Sequence, residues 1–564
     1  MKRLVFAIAL VLGCAPYAAS AADAAKPGHA AIASAHKLAT ESGFEVLGQG
    51  GNAFDAAVAV AAALSVVEPQ SSGIGGGGLF LLHRASDGKD VMIDARETAP
   101  AATDPKDYLN ANGDLDQDKS WNGPSAAAIP GEPAGLVWLA QHYGKLPLKA
   151  SLAPAIRIAR EGFQPDARFL DAIADRLEVI KRYPASAALY LDNGTVPKAG
   201  WTFKSPDLAA TLERIAAQGN AGFYGGDFAK RLVDGINAAG GKWSLKDLAD
   251  YQVKERTPLT FDYKSAPDTS WHIVTAPPPS SGGIALQEML NILGGYDLAK
   301  LDRVHRVHLI IESMRRAYRD RAAYLGDPDY VKMPLDELGS PLYAAGLRAS
   351  IHPQKATPSD MLPGYMDAGE RDHTTHFSII DADGNLVSAT QTVNLSLGDA
   401  LVVPGTGFVM NDEMDDFALK AGVPNAFGLV GNEANAPKPG RRPLSSMTPT
   451  FVLGKDSVGV IGTPGGSRII TMVLEGVLAF IDGQSPEQIV ANPRYHHQYL
   501  PDVVSAEKGA FTPAEVKALE AMGYKVNEAS RPWGFMNVVS WDRKTGKLAA
   551  GSDSRRASGS GMVK

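Results

Sequence analysis

The chain has 564 residues, of which 45% are hydrophobic and 21% charged, with a formal net charge of −7. This is ordinary globular composition, and an acidic balance without a long basic run excludes the nucleic-acid-binding class. The one cysteine, Cys14, excludes a disulfide framework or a cysteine metal site in anything that begins after it.

Residues 1–21 read as an export signal. Lys2 and Arg3 supply the positive start, residues 4–12 a short apolar core, and Ala19-Ser20-Ala21 a small-residue cleavage site. The core is too short to span a bilayer. The mature chain is therefore expected to start near Ala22 and to be periplasmic or secreted. Val11-Leu12-Gly13-Cys14 offers a competing reading, a lipoprotein processing box that leaves the chain anchored through Cys14; Pro16 and the Ala-Ser-Ala site favour the first.

Residues 22–40 are alanine-rich and polar and are expected to be loose. Asn52-Ala53-Phe54-Asp55 then opens a helix running to Val67, apolar on all sides and hence buried. Glu68-Pro69 ends it, and the glycine run 75–78 leads into a strand at 79–82. Residues 130–330 read mostly as helices, with clear examples at 136–143, 154–161 and 304–324. Pro353, Pro358, Pro363 and Gly364 mark residues 352–372 as an exposed linker.

Beyond the linker the pattern turns to strands. Phe377 and Ile379 alternate with polar residues, Asp383-Gly384 signals a turn, and 386–392 returns. Residues 450–453 and 458–461 form a second pair. Gly462-Thr463-Pro464-Gly465-Gly466-Ser467 leads into an apolar helix at 468–481, and Thr512-Pro513-Ala514-Glu515 is a capping box for a late one. Strands with helices segregated around them predict a layered α/β (α+β) packing. If the hairpin loop is 381–385, Ile380 pairs with Leu386 and Thr374 faces Thr392, with Cβ atoms about 4.5–5.5 Å apart. A two-residue loop at Asp383-Gly384 puts Val393 there instead, and the sequence leaves both registers open.

Thr374 is one strand threonine among many on β-propensity alone. Three features lift it: the linker before it, the strand that begins at it, and the hydroxyl that can face it. A threonine hydroxyl needs an adjacent base to act as a nucleophile, and cutting the chain before Thr374 would supply one in the new α-amino group. The acids of Asn411-Asp412-Glu413-Met414-Asp415-Asp416-Phe417 can bind calcium, form a solvated turn, or hold an ammonium group. Arg96 is a surface ion pair or a carboxylate clamp, to which Ser445-Ser446 can add hydroxyls. Gly465-Gly466 before a helix suits an anion or an oxyanion. Neither glycine run continues as a P-loop, and 75–78 reads as a tight packing turn. His305 with His308, and His496 with His497, lack the metalloprotease pattern, so no metal is expected. No G-x-S-x-G elbow occurs.

Taken together, Pro69-Gln70-Ser71-Ser72-Gly73-Ile74-Gly75-Gly76-Gly77, Arg96-Glu97, Thr374-Thr375-His376-Phe377-Ser378, the 411–417 cluster, Pro443-Leu444-Ser445-Ser446-Met447 and the 462–467 loop resemble the γ-glutamyltransferase (γ-glutamyltranspeptidase) family of N-terminal-nucleophile hydrolases. The match runs over nearly the whole mature chain. The resemblance implies a four-layer αββα sandwich, self-cleaved between His373 and Thr374 into a large subunit (22–373) and a small catalytic one (374–564) that form one heterodimer. It implies Thr374 as nucleophile, hydrogen-bonded by Thr392. Asn394, Glu413 and Asp416 would hold the substrate α-amino group, Arg96, Ser445 and Ser446 its α-carboxylate, and Gly465 and Gly466 the oxyanion. The implied substrates are glutathione and other γ-glutamyl compounds, the acceptors water, amino acids or dipeptides, and no cofactor is needed. A cephalosporin acylase or poly-γ-glutamate-processing relative is the alternative, and an unprocessed, inactive binding protein the non-enzyme one. Residues 423–431 resemble the family's active-site lid, with Phe427 where many bacterial members carry tyrosine. A tyrosine-type latch is therefore not available, which leaves acceptor preference and the balance of hydrolysis and transfer open.

Overall fold

Two hydrophobic cores, one on each face of a central sheet, organise the chain. The computed structural model describes residues 25–266, 268–361, 374–555 and 557–564. The export signal with Cys14, the 362–372 part of the linker and His373 lie outside the described residues.

The first stretch contains β1 (Ala31–Ser34), α1 (Lys37–Gly48), α2 (Ala53–Val67), β2 (Gly77–Arg84), β3 (Lys89–Ala95), α3 (Glu132–His142) and α4 (Leu148–Glu161). Next come β4 (Lys254–Arg256), β5 (Leu259–Ala266), β6 (Thr269–Thr275), α5 (Gly282–Leu293) and α6 (Arg303–Tyr324). The last stretch holds β7 (Thr375–Ile380), β8 (Leu386–Thr392), β9 (Thr450–Leu453), β10 (Ser457–Gly462), α7 (Ile469–Ile481), α8 (Pro513–Ala521), β11 (Asn537–Asp542), β12 (Leu548–Ser552) and β13 (Ser560–Val563). One sheet runs β13-β1-β7-β8-β2-β3-β4 and a second β12-β11-β10-β9-β6-β5; three short strands at 495–496, 504–506 and 526–528 form a small third.

The pleat sends successive side chains of the first sheet to opposite faces. Ile32, Phe80, Phe377 and Ile379 join α2 in one core. Ala31, Leu79 and Ile380 join the second sheet, α5, α6 and α7 in the other. Helices, sheet, sheet and helices thus stack as αββα. The alanines of α2 let it sit buried on every side, and Asn52 caps it in a reciprocal box with Asp55. Among the described residues, no helix is long and apolar enough to cross a membrane.

Two sequence expectations change. The segment expected to be loose includes β1, which is fully buried and lies between β13 and β7. The polar residues alternating along β7 and β8 do not face water. They form a hydrogen-bonded belt between the two sheets: His376 Nδ1 to Thr390 Oγ1 at 2.8 Å, Ser378 Oγ to the Asn537 carbonyl at 3.0 Å, and Ser388 Oγ to the Ile461 carbonyl at 3.2 Å. Buried hydroxyls are tolerated when paired in this way.

The hairpin register is settled by Asp381. Its carboxylate accepts the amides of Asp383 (3.0 Å), Asn385 (2.9 Å) and Ala53 (2.9 Å, at the start of α2), building a loop over 381–385. Ile380 therefore pairs with Leu386 and Thr375 with Gln391. The early glycine run is a packing device: a Cβ on Gly76 would lie 2.0 Å from the Thr392 carbonyl oxygen, and one on Gly75 2.1 Å from that of Val409.

Candidate active site

The register carries Thr374 to the position opposite Thr392, with its side chain on the sheet–sheet face. The two hydroxyls are 3.1 Å apart. Thr392 Oγ1 also accepts the amide of Asn394 at 2.8 Å, which fixes its rotamer. Thr374 is only 4% exposed. Its φ of +126° is a left-handed value that a β-branched residue adopts only under strain. Asn394, also left-handed at φ +74°, donates its side-chain amide to the Asp412 carbonyl at 3.0 Å.

Arg96 follows the end of β3 and is 1% exposed. Its guanidinium meets Asp416 Oδ2 at 2.5 Å, Glu413 Oε2 at 2.8 Å and Glu97 Oε2 at 3.4 Å, while Nε donates to the Pro443 carbonyl at 3.3 Å. Burial opposes the Arg96 charge, but Glu413, Glu97 and Asp416 outweigh it and raise its pKa. Burial in turn pushes Glu97 up to about 7, against the pull of Arg96, and holds Glu413 well above the ordinary carboxylate range. Burial thus works against the charged forms of Glu97 and Glu413, and Arg96 works for them.

The predicted binding residues are thus gathered, but in a different pairing. Arg96 engages the acids directly, whereas Ser445 Oγ accepts the Met447 amide at 3.0 Å and Ser446 Oγ accepts from Arg321 Nη2 at 3.4 Å. Two asparagines tie the pieces together. Asn425 donates to Asp416 Oδ1 at 3.1 Å, and Asn435 donates to the Asp416 carbonyl at 2.7 Å while accepting the Leu444 amide at 3.1 Å. The other acids of the cluster diverge: Asp412 accepts the Leu395 amide, and Asp415, raised to about 7 by burial, accepts Trp121 Nε1 and the Ala426 amide. Among the described residues, no three His, Cys, Asp or Glu side chains are grouped to hold a metal. His308 is bonded to Tyr524 and the His352 carbonyl, His496 to Thr471 and Gln498, His497 to Asp502 and the Tyr499 amide, and His305 to Asp302.

Gly465 and Gly466 have φ of +142° and +56°; Gly465 caps and Gly466 begins the short turn Gly466–Arg468 that leads into α7. At the end of β10, a Cβ on Gly462 would fall 2.1 Å from the His376 ring, two residues from Thr374; one on Gly466 would fall 2.3 Å from the Phe427 ring. The loop therefore runs between the start of β7 and the 423–431 segment. Phe427 is buried with Leu395 and Ala426. A residue the sequence did not single out ties this segment down: Gln498 Nε2 donates to the carbonyls of Phe427 (3.3 Å) and Gly428 (3.2 Å), and its Oε1 accepts Ser467 Oγ at 2.7 Å. Gln498, Asn435 and Arg321 carry no local motif; only the fold brings them here.

The family described as Gamma-glutamyltranspeptidase matches residues 39–563 of the chain. A glutathione hydrolase proenzyme of Pseudomonas sp. (strain A14) is 42% identical over 536 residues, covering 93% of this chain and 92% of that protein. The glutathione hydrolase proenzyme of Escherichia coli (strain K12) is 41% identical over 505 residues, covering 88% and 85%. Among solved structures, a cephalosporin acylase from Bacillus halodurans superimposes with a TM-score of 0.83 at 29% identity, covering 96% of each chain.

Proposed function

The chain belongs to the γ-glutamyltranspeptidase family of N-terminal-nucleophile hydrolases, and we propose that Thr374, freed by self-cleavage, carries its chemistry. The protein is an enzyme that hydrolyses or transfers γ-glutamyl groups of glutathione-type substrates.

The observation that carries the assignment is the pair of hydroxyls at 3.1 Å on the sheet–sheet face. Self-cleavage at His373–Thr374 proceeds by attack of Thr374 Oγ1 on the preceding carbonyl, followed by hydrolysis of the ester. The φ of Thr374 supports this: such backbone strain costs about 1–3 kcal/mol, and cutting the bond releases it. The products are a large subunit (22–373) and a small one (374–564), periplasmic or secreted. The new α-amine, with an ordinary pKa of about 7.7–8.0, then takes the hydroxyl proton. Oγ1 attacks the γ-carbonyl carbon, Gly465 and Gly466 N–H groups receive the oxyanion, and the leaving amine takes the proton back. Water resolves the γ-glutamyl ester to glutamate; an amino acid or dipeptide amine gives the transfer product.

Asp416, Glu413 and Asn394 hold the substrate ammonium. Arg96, Ser445 and Ser446 serve the α-carboxylate. The acids favour an amine-bearing donor over the glutaryl side chain of a cephalosporin, which has a carboxylate and no amine. Turnover of γ-glutamyl-p-nitroanilide tests the assignment: Thr374→Ala is expected to abolish it and to leave the chain in one piece. Turnover surviving in that variant would refute the role of Thr374.

A further inference from the structure

The turn proposed to receive the oxyanion cannot hold its own direction. Gly465 and Gly466 sit at φ +142° and +56°, and glycine is the residue most free to leave a given backbone geometry. Two contacts hold the turn from outside. A Cβ on Gly466 would lie 2.3 Å from the Phe427 ring, so the ring closes on the bare Cα. The next residue, Ser467, is buried and held at both ends. Its carbonyl accepts the Tyr318 hydroxyl from α6, and its own hydroxyl donates to Gln498 Oε1 at 2.7 Å.

Gln498 also faces the other way. Its Nε2 donates to the carbonyls of Phe427 and Gly428, at 3.3 and 3.2 Å, in the 423–431 segment proposed as the lid. These carbonyls decide how the amide lies. An amide oxygen cannot donate, so the reversed amide would set Oε1 against two carbonyl oxygens. In the orientation that remains, Oε1 faces the turn, where it accepts Ser467 Oγ and, at 2.8 Å, His496 Nε2. His496 must then carry its proton on Nε2, and its Nδ1 accepts from Thr471 Oγ1 in the first turn of α7 at 2.8 Å. The backbone that carries Gln498 is fixed as well: the Asp502 carboxylate accepts from Arg315 of α6 at 2.5 Å and from His497 Nε2 at 3.2 Å.

We propose that Gln498 is a positioning residue for the oxyanion step: the Phe427 and Gly428 carbonyls orient its amide, and the amide in that orientation holds Ser467 and, through it, the N–H groups of Gly465 and Gly466. With the 423–431 segment away from the turn, the amide loses both acceptors and Gly466 loses the Phe427 ring. The turn is therefore complete only when that segment lies over it. This rests on the reading of Gly465 and Gly466 as oxyanion donors. Such donors act by being fixed in advance, so loosening them weakens the hold on the transition state and spares the bound substrate.

Two inhibitors separate this role from plain support of the segment. L-Glutamate fills the donor site without an oxyanion. 2-Amino-4-boronobutanoic acid bonds its boron to Thr374 Oγ1, the hydroxyl proton passing to the Thr374 amine, and presents a tetrahedral oxygen to the turn. Ser467→Ala leaves the bonds from Gln498 to Phe427 and Gly428 in place and removes only the link. It is expected to lower kcat for γ-glutamyl-p-nitroanilide about tenfold per cleaved small subunit, and to weaken the boronate at least roughly fivefold more than L-glutamate. Gln498→Met is expected to shift the same ratio by at least as much, and the double variant no further than Gln498→Met alone, because both changes break one link. A smaller difference between the inhibitors in Ser467→Ala, or effects of the two changes that add, overturns the proposal. Where one variant stays uncut the other decides; both uncut would place the link in folding or self-cleavage and overturn the proposal as well. Failure of the unsubstituted enzyme to bind the boronate more tightly than L-glutamate would instead overturn the reading on which it rests.

Discussion

The Thr392 hydroxyl accepts one amide and touches one hydroxyl, so its contribution to Thr374 is orientation rather than bulk. Thr392→Val keeps the shape and removes the hydrogen bond. A bond worth about 1–3 kcal/mol predicts a fall in kcat of roughly 10- to 100-fold with little change in KM; Thr392→Ser should recover most of it. Steady-state kinetics with γ-glutamyl-p-nitroanilide checks both, and a variant whose KM alone changes would contradict the assignment. Asp416→Asn acts on the other parameter. It leaves a neutral group where an ammonium is to be held and is expected to raise KM about tenfold, the scale of one charge-assisted hydrogen bond. The sequence singled out both positions, Thr392 through one of two open hairpin registers and the family resemblance, Asp416 through the acid cluster at 411–417. Arg321 and Gln498 were not singled out: one is the last of six arginines in a helix, and the other sits between two histidines and a tyrosine. What distinguishes them is which partners the fold supplies.

At the scale of elements, short polar contacts set the geometry. Asp381 selects the five-residue loop over the two-residue turn that Asp383-Gly384 suggested, because its carboxylate gathers three amides, one of them from α2. Hydrophobic pattern alone could not choose between the registers, since β7 and β8 are buried on both faces. Gly76 lets β2 approach the end of β8. Gly76→Ala forces a Cβ against the Thr392 carbonyl, at a cost of about 1–3 kcal/mol for overpacking, and is expected to leave a larger share of the chain uncut on a denaturing gel. The 423–431 segment, proposed as the lid, is pinned on one side by Asp415 and Asp416 and on the other by Gln498. Gln498→Ala removes that second attachment. Water should then reach the acyl-enzyme more readily, raising the ratio of free glutamate to transfer product several-fold in the presence of a dipeptide acceptor. An unchanged ratio would show that Gln498 does not hold the lid.

For the molecule as a whole, a layered α/β packing was legible from the order of its strands and helices, and the four-layer αββα stack from the family resemblance. The inter-sheet polar belt was not, because alternation along a strand does not say whether water or a second sheet faces the polar side. That belt carries a pH signature. Burial lowers His376 to about 3. An imidazole kept neutral in the fold but able to protonate once unfolded stabilises the protein above pH 6.5, and that contribution is lost as the pH falls toward 3. His376→Gln cannot charge, so its denaturant-unfolding midpoint should fall less steeply with acid, the gap to the parent closing by about 1 kcal/mol per pH unit below 6.5. Parallel pH profiles for parent and variant would count against a neutral, buried His376. The central claim is that the chain makes its own nucleophile at residue 374 and acylates it. Mass spectrometry of the purified enzyme, acid-quenched during turnover of a γ-glutamyl donor, tests it most directly. The account predicts a small subunit that begins Thr-Thr-His-Phe and carries one γ-glutamyl group on Thr374; a single uncut chain, or an adduct on any other residue, would contradict it.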